Sequence, residues 1–335
     1  MLPQLTIGIP TLNRALMVSK LVEKCLSQTV LPFEVIVSDD ASDDDTLLRL
    51  RDIRHSRLRI IEQNPRLGMI SNWNACLDAC RSDWFMILSD DDIITADFVS
   101  CFSETLTIAP EAEFLLMRGR IVDRLTGETN KNYPPLKKIG YVDFTRNILP
   151  SWLNYQFAIP FASMIFKTET LRAFGGFTTA FPYAADVATG FPIAIRRKCA
   201  FYPEEKVDCT VHEGMATLSY SAQALIDDVI NLTEFVVAQV SDVHADEPQL
   251  IDDIAKSSRV YLRKMFGHVM ITSARRGVTK WQLIKAWAIY SSRLPGLGLG
   301  PMSIGAVLVP QRLIQTVGWP YRKYVAWKLS RLAAR

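Results

Sequence analysis

The sequence predicts an α/β fold, a mostly parallel sheet flanked by helices, followed by a helical and basic C-terminal region. Three observations lead there. Over the first half of the chain, short apolar runs of strand type alternate with segments whose apolar residues recur at helical spacing, the pattern of βαβ units around a parallel sheet. Polar clusters follow directly after several of those apolar runs. Charge is also partitioned. Up to Asp253 there are 23 Lys and Arg against 35 Asp and Glu, whereas Ile254 to Arg335 holds 15 basic residues and no acid.

The elements follow in order. Leu5 to Ile9 is a strand expected to break at Pro10, and Val18, Leu21, Val22, Cys25 and Leu26 place a helix over residues 16–26. Val35 to Val37 forms a second strand that ends in acids, and "LRIIEQN" a third. Residues 70–80 read as a helix, and "WFMIL" as a fourth strand running straight into Asp90, Asp91 and Asp92. Phe114 to Met117 and Ser163 to Phe166 add strands, and after about Val207 the sheet pattern fades. Residues 222–240 and 251–274 then read as helices, which sets a boundary between 1–220 and 221–335. The apolar stretch from Leu294 to Val317 is interrupted by Pro295, Pro301 and Pro310. A spanning helix needs about 20 largely apolar residues in an unbroken run, so no transmembrane segment is expected. Six cysteines without a CxxC pair, and a Met1 that leads directly into a strand, suggest a reduced cytoplasmic setting without a secretion leader.

The alternation has a functional consequence. In open α/β sheets, ligands bind outside the carboxyl ends of the strands. Pro10 to Arg14, Asp39 to Asp40 and Asp90 to Asp92 follow the first, second and fourth strands, so they are expected on one rim. Three consecutive carboxylates repel one another unless solvated or met by positive charge. Carboxylates at a strand end suit a hard divalent cation such as Mn²⁺ or Mg²⁺, which can bridge a diphosphate and stabilise its charge. A solvated acidic turn is the plainer alternative for an isolated triple, and the company of two other rim clusters tells against it. Asp43 to Asp45 are expected to favour the N-terminus of the next helix. Asp39 at its strand's end could accept from a base N–H or simply belong to that polar loop.

The segments "TIGIPTLNR", "EVIVSDDASDDDT", "NPRLGMISNWNACLDACRSDWFMILSDDD" and "LRAFGGF" together resemble family 2 glycosyltransferases, from about Leu5 to Phe177 with weaker similarity to His212. The resemblance implies a GT-A fold and an inverting transfer of sugar from a nucleotide diphosphate sugar (a UDP-, GDP- or dTDP-sugar) to a glycan or lipid-linked acceptor, with Mn²⁺ or Mg²⁺. It implies that Pro10, Thr11, Asn13 and Arg14 border the nucleotide, that Asp39 contacts the base, and that Arg66 lies near the nucleotide or diphosphate. Asp90 would approach the ribose, with Asp91 or Asp92 on the metal and His212 as an added ligand. Asn74 matches a recurrent asparagine, and Ser82 stands where relatives often have Gly. The general base is commonly drawn from a Glu-Asp pair after the "GGF" turn. Here Ala185 replaces the first acid and Asp186 remains. Asp186 also suits the N-cap of a helix over 187–196.

The basic C-terminal region includes Trp281, Trp287, Trp319 and Trp327. Basic residues with interfacial aromatics suit an anionic membrane surface, here the inner face of the cell membrane. An ordinary helical subdomain with a solvated basic face is the alternative. Nucleic acid is not expected, because no reading module accompanies the charge. Other enzyme classes fit less well. A haloacid-dehalogenase-type phosphohydrolase needs Thr or Val where Ile94 stands, a sugar nucleotidyltransferase needs a Gly-rich loop after strand one, and a receiver domain needs acids where Pro10 and Thr11 stand. A catalytically degenerate GT-A protein that only binds sugar nucleotide or glycan is the non-enzyme alternative.

Overall fold

Strand β1 (Leu5–Thr11) runs through Pro10 instead of breaking there. The ladder explains why. Gly8 O accepts from Leu88 N–H on the side of the fourth strand, and Thr11 O accepts from Asp40 N–H on the side of the second. Alternation turns Pro10 toward the fourth strand, whose pairing with β1 has already ended at Ile87. The missing proline N–H therefore costs no ladder bond.

The computed structural model describes residues 3–123, 136–211, 221–275 and 278–293. After β1 come α1 (Ala15–Leu26), β2 (Glu34–Asp39), α2 (Thr46–Asp52), β3 (Leu58–Glu62), α3 (Met69–Ala79) and β4 (Trp84–Ile87). Then follow β5 (Ile93–Ile94), α4 (Phe98–Ile108), β6 (Phe114–Asp123), β7 (Gly140–Val142), α5 (Leu149–Leu153), β8 (Met164–Lys167) and α6 (Thr168–Ala173). The last elements are α7 (Ala185–Arg196), β9 (Cys199–Val211), α8 (Ala222–Val243), α9 (Pro248–Arg275) and α10 (Lys280–Arg293). Among the described residues one sheet has the order β3-β2-β1-β4-β8-β6-β9-β5, with β7 also on β9. β1 to β4, β6 and β9 run one way and β5, β7 and β8 the other, so the sheet is mostly parallel.

Side chains alternate between two cores. Trp84, Met86 and Leu88 face one side, packed with Val18, Val22, Phe98 and Phe102 from α1 and α4. Phe85 and Ile87 face the other, packed with Trp73, Cys76 and Phe191 from α3 and α7. This second core continues without a break into Ile226 and Val229 of α8, Leu262 and Phe266 of α9, and Tyr290 of α10. The C-terminal helices are thus built onto the sheet. All six cysteines are free and five are buried.

β9 is longer than the fading apolar pattern suggested, and the reason is ionic. Arg120 of β6 donates to both oxygens of Asp208 at 2.5 and 2.9 Å and to Glu205 at 3.2 Å, and Lys206 reaches Asp97 at 2.7 Å. Charges paired across or beside the sheet replace the apolar run by which a strand is recognised.

One turn ties the sheet to α7. Asn74 of α3 clamps Phe177, its Nδ2 donating to Phe177 O at 2.9 Å and its Oδ1 accepting from Phe177 N–H at 2.8 Å. The chain reaches that clamp through Gly175 and Gly176, at φ 89° and 71°. A Cβ on Gly176 would stand 2.6 Å from Asn74 Oδ1, whereas a Cβ on Gly175 would meet nothing within 4 Å. Gly175→Ala is expected to cost about 1–2 kcal/mol for its left-handed backbone alone. Gly176→Ala should cost more by the broken clamp, a difference that urea unfolding of the two variants measures.

Candidate active site

The rim predicted from the sequence is assembled at the ends of β1, β2 and β4, and the three adjacent aspartates are handed to three different partners. Asp90 Oδ2 accepts from Thr11 Oγ1 at 2.8 Å, which joins the ends of β4 and β1. Asp91 Oδ2 lies 3.9 Å from Arg14 Nη1, on the loop that leaves β1. Asp92 turns inward. It is 5% exposed, and its Oδ1 accepts from Thr210 N–H of β9 at 3.0 Å. Burial, then the charge of Asp91, pushes the Asp92 carboxyl up to about 7, against the lowering effect of the Thr210 bond. The Thr210 hydroxyl donates to the Asp91 carbonyl, so β9 holds this turn at two points.

The loops after β1 and β2 brace each other. Asp39 is fully buried and accepts from Ser42 N–H at 3.0 Å and Ser42 Oγ at 2.5 Å. Ser42 Oγ accepts from Asn13 N–H at 2.8 Å, and Asn13 Oδ1 accepts from Asp43 N–H at 2.9 Å. Asn13 and Ala41 adopt φ of 54° and 59°, a conformation natural for Asn and strained for Ala. Arg66 holds the Ala41 carbonyl through Nε and Nη2 at 3.3 and 3.1 Å and extends to Asp43 at 3.5 Å. Among Asp43 to Asp45, it is Asp44 that serves the helix termini. Its oxygens accept from Ala15 N–H at the start of α1 and from Thr46 N–H at the start of α2. Desolvation raises the Asp44 carboxyl, and the bonds from Thr46 and Ala15 together bring it below the usual range. Asp40, given no separate role from the sequence, accepts from Leu67 and Gly68 N–H at 2.6 and 3.0 Å and pins the entry to α3.

Asp186 sits in the first turn of α7, one residue inside the helix, because Ala184 occupies the cap position. It is therefore not the N-cap, and the turn just before the helix is braced from another chain segment. Asp228 of α8 accepts from Tyr183 N–H at 2.8 Å and Ala184 N–H at 3.1 Å. Asp186 Oδ1 accepts from Val187 N–H at 2.8 Å. Burial pushes its carboxyl up to about 6, with a smaller push from the charge of Asp228.

Cys209 links the two acidic groups. Its thiol is pushed far up by burial first and then by Asp92, Asp91 and Asp186, so all three carboxylates lie within its electrostatic reach. Nothing in its spacing from the other cysteines signals that position. Thr210 and Asp228 are also invisible to motif reading, since each acts from a remote strand or helix. His212 lies outside the described residues. Among the described residues no three His, Cys, Asp or Glu side chains converge on a metal position. One or two rim carboxylates fit Mg²⁺ or Mn²⁺ that takes its remaining ligands from phosphate and water.

Residues 6–167 match the model of Glycosyl transferase family 2. Over 102 residues the chain is 31% identical to the GalNAc(5)-diNAcBac-PP-undecaprenol beta-1,3-glucosyltransferase of Campylobacter jejuni, covering 30% of this chain and 33% of that protein. Such matched stretches span 11% to 66% of these curated relatives' own lengths. The structure is similar to S. aureus TarS in complex with UDP-GlcNAc, with a TM-score of 0.64 at 15% identity over 96% of this chain and 92% of that one. It is similar also to the mannosyltransferase PcManGT of Pyrobaculum calidifontis in complex with GDP-Man and Mn²⁺, with a TM-score of 0.53 at 16% identity over 94% and 86%. At those identities the likeness is one of fold.

The different anchoring of neighbouring aspartates can be tested by stability. Asp92→Ala leaves the Thr210 N–H without its acceptor and should cost about 1–3 kcal/mol in urea unfolding. Asp91→Ala loses the 3.9 Å approach to Arg14 but also removes a charge that opposes the ionisation of Asp92, so it should cost less than Asp92→Ala.

Proposed function

Given that this chain belongs, through residues 6–167, to glycosyl transferase family 2, we propose that it is an inverting glycosyltransferase. It moves a sugar from a nucleotide diphosphate sugar to a glycan or lipid-linked acceptor. The carrying observation is the junction of β1 and β4, where Thr11 grips Asp90 at 2.8 Å and Arg14 faces Asp91 at 3.9 Å. Side chains from two strand ends thereby make one polar rim where such sheets bind ligands.

In this reading Pro10, Thr11, Asn13 and Arg14 border the nucleotide, Asp90 meets the ribose and Asp39 the base. Arg66 acts near the diphosphate from its post on the Ala41 carbonyl. Asp91 is the principal residue to hold Mn²⁺ or Mg²⁺, since Asp92 is committed to β9. The ion, when bound, neutralises charge on the diphosphate as it departs. The acceptor hydroxyl oxygen attacks the anomeric carbon on the face opposite the diphosphate. The bond from that carbon to the diphosphate oxygen breaks, its electron pair leaves with the nucleotide diphosphate, and the hydroxyl proton passes to Asp186. A carboxylate drawn up to about 6 is a better proton acceptor than an ordinary one and is still ionised at neutral pH. Ala185, where relatives often carry an acid, is 1% exposed and packed in the core.

The donor and the activity are tested together by a screen of UDP-, GDP- and dTDP-sugars with Mn²⁺ or Mg²⁺, scored by release of nucleotide diphosphate. Release from none of them contradicts the proposal, and release indifferent to EDTA contradicts the metal. Asp186→Asn should lower kcat by about 10²–10⁴-fold while nucleotide affinity holds. In the parent enzyme the base works only when ionised, so kcat should rise as pH climbs through about 6 and level off above it.

The membrane forms part of the same proposal. Among the described residues no helix is long and apolar enough to cross one. On α10, Trp281 is 65% exposed with Lys285 Nζ 5.7 Å from its ring centroid, a pairing suited to an anionic interface at the inner face of the cell membrane. Flotation with phosphatidylserine vesicles should carry the protein upward, and Trp281→Ala with Lys285→Ala should weaken that binding. Equal flotation with neutral vesicles would contradict the charge-based reading.

A further inference from the structure

The three aspartates lead at once into β5, and β5 pairs antiparallel with β9. Ile93 faces Asp208, Ile94 faces Val207, and Thr95 N–H donates to Lys206 O at 3.0 Å. Continued by two residues, the same register brings Asp91 opposite Thr210. An antiparallel ladder would there bond amide to carbonyl. The observed contacts are different. Thr210 N–H is given to the Asp92 side chain at 3.0 Å, and the Asp91 carbonyl is held by the Thr210 hydroxyl. One residue of β9 thus makes both bonds, and in each a side chain stands where a backbone group would serve a plain ladder.

This exchange sets the shape of the acidic turn. Asp92 N–H closes it on Ser89 O at 3.0 Å, Thr11 fixes the Asp90 side chain, and the Thr210 amide fixes that of Asp92. With its own carbonyl also held, Asp91 is constrained on both sides of its Cα, and its side chain is directed to the rim, 3.9 Å from Arg14. The support behind Thr210 is firm. Thr210 is buried and pairs with Val122 of β6, and Asp208, two residues before it, is bonded twice by Arg120. A strand that served the fold alone would continue the ladder and bury no carboxylate, since a buried charge is costly even when bonded. Residues that hold a metal are oriented by a second layer of hydrogen bonds of this kind.

We propose that Thr210 is the positioning residue of the rim: its hydroxyl, through the Asp91 carbonyl, sets the direction in which the Asp91 carboxylate meets a divalent cation. This rests on the glycosyl transfer reading, which supplies the cation, and it names the residue that prepares Asp91 for it. Thr210 acts only through Asp91. The hydroxyl is required because the amide of the same residue is already bonded to Asp92. Valine has the shape that the strand needs and lacks the donor, whereas serine keeps the donor.

The test titrates Mn²⁺ alone into the full chain, with the free ion read by electron paramagnetic resonance, for the parent, Thr210→Val and Thr210→Ser. Thr233→Val is the control. Thr233 is also buried, and its hydroxyl likewise donates to backbone carbonyls, those of Val229 and Ile230 on α8. Thr210→Val should bind Mn²⁺ about fivefold more weakly, while Thr210→Ser and Thr233→Val bind it as the parent does. Parent-like binding by Thr210→Val overturns the proposal, as does an equal loss in Thr210→Ser or in Thr233→Val. If the parent binds Mn²⁺ and one of these outcomes appears, the positioning role alone has failed. If the parent binds no Mn²⁺, the cation role falls and this proposal with it, and release of nucleotide diphosphate in EDTA then decides whether the transfer reading stands.

Discussion

Three carboxylates in sequence cannot share one direction at the end of a strand without mutual repulsion, and the site depends on how that is resolved. Asp90 is bonded by Thr11, Asp91 faces Arg14, and Asp92 is drawn back to the Thr210 amide. Two of the partners come from the end of β1 and the loop that leaves it, the third from β9. The same interactions therefore splice β1, the loop after it and β9 to the end of β4. Asp92 bears the greatest strain, since burial and its neighbour's charge both oppose its ionisation. It is tolerable because an amide N–H points at the carboxylate, where an unmatched buried charge would be several kcal/mol worse.

Around that knot the loops of the rim are cross-braced. Asp39, Ser42, Asn13 and Asp43 form one hydrogen-bonded chain between the loops after β1 and β2. Asp44 serves the starts of two helices at once. Preorganisation of this kind limits what must be ordered when a ligand arrives. It also gives the acids of "SDDASDDDT" distinct duties that composition alone cannot separate.

The helices after residue 221 read in the sequence as an appended region, and their packing ties them to α7 and to the core beneath the sheet. Asp228 braces the turn before α7, and Ser257, Lys264 and Tyr261 pack on the turn at Asn154 and Tyr155. Their apolar faces continue the core beneath α7. The turn that leads into the helix of Asp186 is therefore held by a residue more than a hundred positions beyond the acidic triple.

Local pattern was sufficient for β1 to β4, α1 and α3, for the shared rim and for the family, because apolar periodicity and turn chemistry are properties of neighbouring residues; it did not name β5 or α4. It fell short where partners are distant. β9 hid behind charges that β6 neutralises through Arg120, and the strand at Pro10 continued because its neighbour had already ended. By itself the sequence determined that acids would gather at strand ends and that Asp186 would follow the glycine turn. Only the tertiary structure decided that Asp92 is buried on Thr210 while Asp91 stays at the rim, and that Asp228 braces the turn before α7 while Asp186 takes the Val187 amide inside it. The reason is physical: a carboxylate's role is set by which donors and charges surround it, and those are brought there by folding.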